Sequence, residues 1–422
     1  MEHRLQDVLA DAGRRFGTPC YLYDLSRLDA DAARVATAFP PGWLRLYSLK
    51  ANGLPALASR LAAAGYGATA VSAGELALAA RAGFPPGAVA LEGIGKGRSE
   101  LRAAVRAAAG GTPLLWLSLE SAGEARALAS LAAKAGLGPG SIDVLVRLNP
   151  MVQPETHGGL AVGAADSKFG VLTDELAGVV EAGGGADGPL RWRGLHLHVG
   201  SQLGAVDAWR SAIRLGLRSL ALQRAALPEM DTLDLGSGFP VGYGVDGSVP
   251  GPDVFAAAAT AEVEAIPEDS RPRRLAIEPG RAIVAAAGWL VASVLHVKER
   301  TGPDGPRRLV VLDTGMTELI RPALYGAEHP IAALTSLGRA VPPDAPLVEA
   351  RVDGPICEST DRLGRATLPP LARDDLVAIG VVGAYGSSMA STYNGRPRPP
   401  EVGWDGSRLS LLRRRGSFAT LP

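Results

Sequence analysis

The stretch LRLYSLKANGLPALASRLAAAGYGATAV, residues 44–71, contains one complete strand–helix–strand unit. It begins with the apolar run LRLYSL (44–49), continues with LPALASRLAAAG, whose apolar residues recur at helical spacing, and ends with GATAV (67–71). The glycine after the last periodic residue is a typical helix stop. Two strands joined by a crossover helix predict neighbouring parallel strands in one sheet.

The same alternation continues to residue 278. The apolar runs with strand character are LRLYSL (44–49), GATAV (67–71), AVALE (88–92), LLWLSL (114–119), DVLVRL (143–148), RGLHLH (193–198), TLDL (232–235) and RLAIE (274–278). Helical segments rich in Ala and Leu lie between them. Eight strands that alternate with helices predict a (β/α)8 TIM barrel. A doubly wound open sheet is the structural alternative, because strands are difficult to count from sequence.

The two ends of the chain have a different pattern. Residues 281–422 carry short β runs separated by Pro and Gly, among them GWLVASVLHVKE, RRLVVLDTG, PLVEARVDG and DLVAIGVVGAYG. We therefore predict an α/β protein with a barrel domain over 30–280. A second, C-terminal β-rich domain, sandwich-like or barrel-like, comprises 281–422 and is completed by the N-terminal segment 1–29. The Pro-rich stretch YNGRPRPPEV (393–402) predicts a loop.

Composition limits the classes of function. The 422 residues are 47% hydrophobic, which is enough for two cores, and 43 basic residues balance 43 acidic ones. Zero net charge argues against nucleic-acid or membrane-surface binding. The start, MEHRLQDVLADAGRRFG, lacks the apolar core of a signal peptide, and no apolar run approaches the roughly 20 residues of a membrane span. Cys20 and Cys357 make no disulfide framework, so we expect a reducing cytoplasm.

Polar residues follow most of the predicted strands. They are Lys50 after the first strand, Ser72 and Glu75 after the second, Asn149 after the fifth, His198, Gly200 and Ser201 after the sixth, Gly236–Gly238 after the seventh, and Glu278 and Arg281 after the eighth. The carboxyl ends of barrel strands meet at one face, where such barrels carry their active sites. The positions therefore predict a single site on that face.

The residue types indicate a cofactor. The Gly-rich turn in LDLGSGFP (233–240) places backbone N–H groups where they can hold a phosphate, although a plain tight turn explains it equally well. A lysine in an apolar barrel mouth, as we expect for Lys50, has a lowered pKa and becomes a nucleophilic amine. With an acid nearby, this set predicts pyridoxal 5′-phosphate, bound to Lys50 as a Schiff base.

The stretch EPGRAIV (278–284) permits two interpretations. In one, Glu278 and Arg281 are a solvated ion pair on a surface turn that leads into a plain strand. In the other, each side chain serves a different part of the site: Glu278 faces the cofactor's ring nitrogen, and Arg281 faces an anion.

Nine motifs in order resemble those of a known family. They are YSLKAN (47–52), VSAGEL (71–76), SKFG (167–170), HLHVGSQ (196–202), LDLGSGFP (233–240), EPGR (278–281), DTGMTELIRPALYGAEH (313–329), GPICESTD (354–361) and GAYGSSM (383–389). Over nearly its whole length the chain resembles the fold-type III pyridoxal-phosphate decarboxylases, and among them the diaminopimelate decarboxylases.

The resemblance implies a role for each matching residue. The catalytic residues are Lys50, which carries the cofactor, His198, which stacks on its ring, Glu278 at the ring nitrogen, and Cys357 as proton donor. The remaining cofactor-binding residues are Ser201, Gly236, Ser237, Gly238, Gly280, Arg281 and, from the second domain, Tyr385. The substrate-binding residues are Arg281, Arg321, Tyr325 and Glu358. No metal ligand is implied.

The resemblance also implies an assembly. Cys357 and Glu358 reach the site of a neighbouring subunit, so we expect a homodimer with active sites shared across its interface. Judged without the resemblance, Cys357 is a small buried hydrophobe and Arg321 a surface residue in a turn.

Several positions depart from the family pattern. Ser237 replaces a glycine, Thr69 replaces an Asp, Thr317 replaces an Asn, EGIGKGRSE (92–100) stands where GNNKS is usual, and Val162–Gly163 replaces a Thr-Gly pair. None of these removes a catalytic group, but together they leave the substrate open.

Two hypotheses share the chemistry and differ in substrate. The first is decarboxylation of meso-diaminopimelate to L-lysine and CO2. The alternative is decarboxylation of a conjugated or carrier-bound amino acid in specialised metabolism, with a carrier protein as partner. A diamine-forming ornithine or lysine decarboxylase is disfavoured, because Arg321 suits an anionic tail. A non-catalytic cofactor carrier would lack the second domain, and Cys357 would have no role in an alanine racemase.

Overall fold

The structure is a computed structural model that describes residues 3–152, 156, 167–244, 249–302, 305–342 and 344–421. Val162 and Gly163 lie outside the described residues. The chain divides into two compact units. The barrel unit is formed by the described parts of Ala32–Pro240 and Val249–Ala282, and the sheet unit by those of Met1–Asp31, Val241–Ser248 and Ile283–Pro422.

Eight parallel strands close into a barrel, which confirms the predicted fold and shows that the open-sheet alternative is wrong. After β1 (Cys20–Asp24) of the sheet unit, the barrel strands in chain order are β2 (Leu44–Ser48), β3 (Gly67–Ala70), β4 (Val89–Leu91), β5 (Trp116–Leu119), β6 (Ile142–Leu148), β7 (Leu190–Leu197), β8 (Thr232–Asp234) and β9 (Arg274–Ile277). Pairing between β9 and β2 completes the circle. The strands read as continuous apolar runs because both faces of a parallel barrel strand are buried.

Helices lie between the barrel strands, where the sequence predicted them, and two more precede the first barrel strand. The helices are α1 (His3–Phe16), α2 (Leu25–Ala38), α3 (Pro55–Ala63), α4 (Ala73–Ala82), α5 (Arg98–Ala109), α6 (Ala122–Lys134), α7 (Leu176–Ala182), α8 (Asp207–Gln223) and α9 (Pro252–Glu264). Side chains inside the barrel interlock across strands, and Leu46, Ala90, Trp116, Leu145 and Ala276 form one buried cluster. This packing fills the barrel, so the strand ends are the available place for a site.

Two residues that the sequence placed at the site face have a structural role. Ser72 caps α4, because its Oγ accepts a hydrogen bond from the backbone N–H of Glu75 at 3.2 Å. The Glu75 side chain in turn accepts from the backbone N–H of Val71 at 2.9 Å. This reciprocal cap satisfies N–H groups that the helix start leaves without partners.

The sheet unit is built around a nine-stranded sheet. Its strands are β1, β10 (Gly288–Gly302), β11 (Gly305–Leu312), β12 (Ile331–Ala333), β15 (Val348–Asp353), β16 (Arg362–Leu368), β17 (Leu376–Ile379), β18 (Glu401–Trp404) and β19 (Leu409–Arg413), and a separate hairpin pairs β13 (Thr335–Ser336) with β14 (Arg339–Ala340). Strand β1 pairs with β10 on one side and with β18 on the other. The N-terminal segment therefore completes the β-rich unit, as predicted. Leu9 of α1 packs with Leu22 and Val291 in the core of this unit.

The plain strand predicted after Arg281 is wrong. Residues Arg281–Val284 form a short helix, α10, and β10 begins only at Gly288. Ala282, Ile283 and Val284 are fully or almost fully buried. Their apolar character reflects this burial, and a short buried apolar run does not distinguish a helical turn from a strand.

Two further elements complete the description. Arg321–Tyr325 forms the short helix α11, and the predicted loop 393–402 contains a 3-10 turn at Tyr393–Gly395 before its last two residues enter β18. No helix among the described residues is both long enough and apolar enough to cross a membrane.

Candidate active site

A cavity of about 350 Å³ opens at the carboxyl ends of the barrel strands. Its lining carries ionisable side chains, namely Lys50, Glu92, Arg147, His196, His198 and Glu278. Val71, Ile94 and Phe169 also line the cavity, so the mouth around Lys50 is partly apolar, as expected, but it contains carboxyl groups as well. Lys50 is half-buried among carboxyl groups, with which its charge interacts favourably.

The glycine-rich turn after β8 holds three strand ends together. Gly236 has φ of +61°, and a Cβ there would lie 2.3 Å from the backbone oxygen of Leu197. Its N–H donates to Asp234 Oδ1 at 2.9 Å, and its carbonyl accepts from the N–H of Glu278 at 2.8 Å. The turn thus requires glycine at this position, and it fixes the backbone of Glu278.

His198, at the end of β7, is held as a neutral imidazole. Its Nδ1 accepts a hydrogen bond from the backbone N–H of Ser237 at 3.4 Å. Burial lowers the pKa of His198 well below its usual range, and the charges of Lys50 and Arg147 lower it further. The ring is uncharged at neutral pH, which suits it to stack on a planar aromatic group.

Glu278, directly after β9, carries one of three buried carboxyl groups that lie close together here. The residue is only 3% exposed, and among the described residues its Oε1 has no hydrogen-bond partner. Burial raises the pKa of Glu278 from 4.5 to about 7, the nearby Asp234 carboxylate adds to the rise, and a hydrogen bond with Glu92 opposes it. An unpaired buried acceptor of this kind is costly and indicates a place for a ligand donor.

Two more carboxyl groups and a histidine surround Glu278. Asp234 and Glu92 are also buried, and burial raises the pKa of each well above its usual range. His196 is oriented by Ser118, whose Oγ lies 2.7 Å from Nδ1, and its Nε2 lies 3.7 Å from Glu278 Oε1. The cavity floor is therefore a linked group of protonatable side chains rather than a single acid.

Arg281 does not form a surface ion pair with Glu278. Both side chains are buried, so the surface-turn interpretation of EPGRAIV is wrong. Arg281 donates to Ser201 Oγ from Nη2 at 3.0 Å and from Nε at 3.3 Å. The Pro-Gly turn separates the acid from the base, and the two side chains contact different groups.

In the sheet unit, Arg321 begins helix α11 and is only 3% exposed, so its interpretation as a surface residue is wrong. Its Nη1 lies 3.1 Å from His329 Nε2, and its guanidinium carbon lies 4.7 Å from the ring centroid of Tyr243. A buried, always-charged guanidinium is a strong binder of carboxylates.

The loop that carries Cys357 and Glu358 is exposed at both residues. Its shape is held by buried Asp361, whose carboxylate accepts the backbone N–H groups of Met316 and Ile356 at 2.6 and 2.7 Å. Glu358 accepts from the Tyr393 hydroxyl at 2.8 Å. Cys357 is thus not the buried hydrophobe that its residue type favoured.

A family model described as the pyridoxal-dependent decarboxylase, pyridoxal binding domain, matches residues 25–285, more than half of the chain. The chain belongs to the pyridoxal-dependent decarboxylase family. This confirms the predicted family, enzyme class and cofactor.

Relatives of this decarboxylase match it from end to end. It is 38% identical to the diaminopimelate decarboxylase of Deinococcus radiodurans, over 97% of this chain and 96% of the relative. It is 34% identical to the diaminopimelate decarboxylase of Zymomonas mobilis, over 99% of this chain and 95% of the relative. The crystal structure of diaminopimelate decarboxylase from Helicobacter pylori complexed with L-lysine has a TM-score of 0.86 at 30% identity and covers 97% of both chains.

The barrel cavity of this decarboxylase fits pyridoxal 5′-phosphate. Lys50 supplies an amine that can bond to the aldehyde, and Glu278 Oε1 is an acceptor without a partner among the described residues. When bound, the cofactor supplies an electron sink for the pair left by departing CO2. The donor set of the cavity therefore agrees with the family's cofactor.

The structure places the predicted residues of the decarboxylase in two groups. Lys50, His198, Ser201, Gly236, Ser237, Gly238, Glu278, Gly280 and Arg281 lie in the barrel unit, and Arg321, Tyr325, Cys357, Glu358 and Tyr385 lie in the sheet unit. Tyr385 has φ of +59°, an uncommon conformation for a residue with a side chain and one that concentrates at functional sites.

Sequence reasoning missed several residues of the decarboxylase cavity. In the sequence, little distinguishes Glu92, Arg147, His196 and Asp234 from the strands or motifs that contain them. For His196 a signal was present, because the spacing of HLH puts both histidines on one strand face. Asp234 pairs in register with His196 on the next strand, which only the topology reveals.

Proposed function

We propose that this decarboxylase converts meso-diaminopimelate to L-lysine and CO2, as a step of lysine biosynthesis. The observation that carries the proposal is the buried Arg321, 3% exposed and in contact with a histidine and a tyrosine ring. A buried guanidinium presents a planar fork of donors whose geometry matches a carboxylate. A substrate with a second carboxylate, distant from the one that is lost, supplies such a group. Relatives that match end to end carry the name diaminopimelate decarboxylase.

We assign the cofactor to the barrel cavity. Lys50 would bind it covalently, neutral His198 would stack on its ring, and Glu278 would accept a hydrogen bond from its ring nitrogen. The phosphate-binding residues are Ser201, Gly236, Ser237, Gly238, Gly280, Arg281 and Tyr385. The hydrogen bonds between Arg281 and Ser201 support this group, because they place a cation beside a hydroxyl in the barrel unit.

The substrate would be held by Arg321 and Tyr325, with Arg281 assisting. Glu358 would bind the distal ammonium, and the Cys357 thiol would return a proton to the carbon that loses CO2. Both residues are exposed, which supports their action in the site of a partner subunit and hence a homodimer. We also propose that 30–280 is the cofactor-binding domain, that 1–29 and 281–422 form the second domain, and that the enzyme works in the cytoplasm.

A substrate comparison tests the proposal. Purified enzyme with pyridoxal 5′-phosphate is supplied with meso-diaminopimelate, L-lysine, L-ornithine and amino acids conjugated at the distal end, and CO2 is measured. The proposal expects meso-diaminopimelate to have the highest kcat/KM. Preference for a conjugated or carrier-bound amino acid would instead establish the alternative function.

The Arg321→Ala variant tests the residue assignment. Loss of a charge-assisted pair of roughly 2–4 kcal/mol should raise the KM for meso-diaminopimelate by about 30- to 700-fold. Arg373→Ala is the matched control, since Arg373 is exposed and contacts a backbone carbonyl in the sheet unit. An unchanged KM in Arg321→Ala would show that no substrate carboxylate binds there.

A further inference from the structure

The buried guanidinium of Arg321 is held by two side chains to which the preceding assignment gives no role. His329 receives one edge of the guanidinium, with Arg321 Nη1 3.1 Å from His329 Nε2. The ring of Tyr243 lies against its face at 4.7 Å. His329 and Tyr243 also contact each other, edge to face, with centroids 4.9 Å apart and planes at 75°. The three residues form a unit that we call the arginine clamp.

The hydrogen-bond partners of His329 determine its tautomer. Its Nδ1 lies 3.0 Å from the carbonyl oxygen of Gly380, and a carbonyl can only accept, so Nδ1 carries a proton. Nε2 faces a guanidinium N–H, which can only donate, so Nε2 must offer its lone pair. His329 is therefore a neutral acceptor, oriented by a backbone carbonyl and aimed at Arg321.

The two contacts of the arginine clamp hold the charge without neutralising it. An imidazole lone pair and an aromatic face orient a cation, but unlike a carboxylate they contribute no opposite charge. His329 is 5% exposed, so water does not readily compete for the contact. The clamp thus orients a planar fork of donors through two contacts that themselves add no negative charge.

We propose that His329 and Tyr243 are positioning residues that hold Arg321 in the orientation needed to recognise the distal carboxylate of the substrate. They act through Arg321 and need not touch the reacting atoms. This inference rests on the proposed function, since it assumes that Arg321 binds that carboxylate. It adds two specificity-determining residues to that assignment.

Paired variants separate positioning from a general effect on the fold. His329→Leu removes the acceptor, whereas His329→Gln retains one. Tyr243→Leu removes the aromatic face, whereas Tyr243→Phe retains it. We expect KM for meso-diaminopimelate to rise about 10- to 100-fold in His329→Leu and about 3- to 30-fold in Tyr243→Leu. The expected change in kcat is less than 3-fold, roughly, and the conservative variants should recover most of the lost affinity.

Two controls make the result specific. His296→Leu replaces an exposed histidine on β10 and should leave KM unchanged. Absorbance of the bound cofactor should be the same in all variants, because neither His329 nor Tyr243 is among the residues assigned to the cofactor. Tyr243 is half-buried, so its variants should fold even if His329→Leu does not.

The outcomes distinguish this inference from the proposed function. If Arg321→Ala raises KM but His329→Leu and Tyr243→Leu do not, the positioning role is wrong and the function stands. The positioning role is also wrong if Tyr243→Phe raises KM as much as Tyr243→Leu does. It is likewise wrong if the variants lower kcat by as large a factor as they raise KM. If Arg321→Ala itself has no effect, the assignment of the distal carboxylate fails first.

Discussion

Replacing Glu278 by Gln should change how the stability of the cofactor-free protein depends on pH. Glu278 is 3% exposed, and burial raises its pKa from 4.5 to about 7. A carboxyl with a raised folded-state pKa binds its proton more tightly in the folded protein than in the unfolded chain. Its contribution to stability is therefore fully present below pH 4.5, and it is lost as the pH rises to about 7.

The size of the effect follows from the two pKa values. A rise from 4.5 to about 7 corresponds to about 3 kcal/mol, at 1.36 kcal/mol per pH unit. Glu278→Gln has no proton to lose, so the free energy of unfolding of the wild type relative to the variant should fall by about that amount between pH 4.5 and pH 7. Bound cofactor supplies a donor for the ionised Glu278, so the holoenzyme should show a smaller fall.

Urea unfolding of cofactor-free protein at closely spaced pH values measures this difference directly. Glu262→Gln is the matched control, because a hydrogen bond with Arg214 lowers the pKa of Glu262, whose stabilising effect is instead lost as the pH falls. If the free energies of unfolding of wild type and Glu278→Gln change by the same amount between pH 4.5 and pH 7, the account of this carboxyl is refuted.

Three further changes test separate parts of the site. Lys50→Ala should abolish the visible absorbance of bound cofactor, and its survival would show that another residue binds the aldehyde. Cys357→Ala should slow turnover but leave cofactor absorbance unchanged, whereas normal turnover would exclude it as the proton donor. Gly236→Ala should lower the free energy of unfolding by about 1–3 kcal/mol, because of its positive φ and the nearby Leu197 oxygen. Gly178→Ala, in open space on a helix, should instead stabilise by about 0.5–1 kcal/mol, and equal effects would contradict this argument.

The barrel was predictable because its signals are local. Each strand and helix has its own periodicity, and the order of the elements then fixes which strand ends share a face. That is why Lys50, His198 and Glu278 could be placed at one site before any coordinates were considered. Ser72 and Glu75 also follow a strand end, where they cap α4, and the charge of Lys50 acts on the Glu75 carboxyl as well.

The composition of the cavity was not predictable in the same way. Glu92, Asp234 and Glu278 come from three different strand ends, and their mutual burial appears only when the barrel closes. The loop that begins at Glu92 departs from the family pattern, but sequence alone does not show that its carboxyl meets Glu278. Likewise, Tyr243 and His329 are far apart in the chain, and only the fold brings them to Arg321.

Release of CO2 from meso-diaminopimelate by the purified enzyme, with and without pyridoxal 5′-phosphate, is the most direct test of the function proposed for this chain. The account predicts cofactor-dependent release, with one L-lysine formed for each CO2. Absence of CO2 from meso-diaminopimelate in the presence of bound cofactor would contradict it.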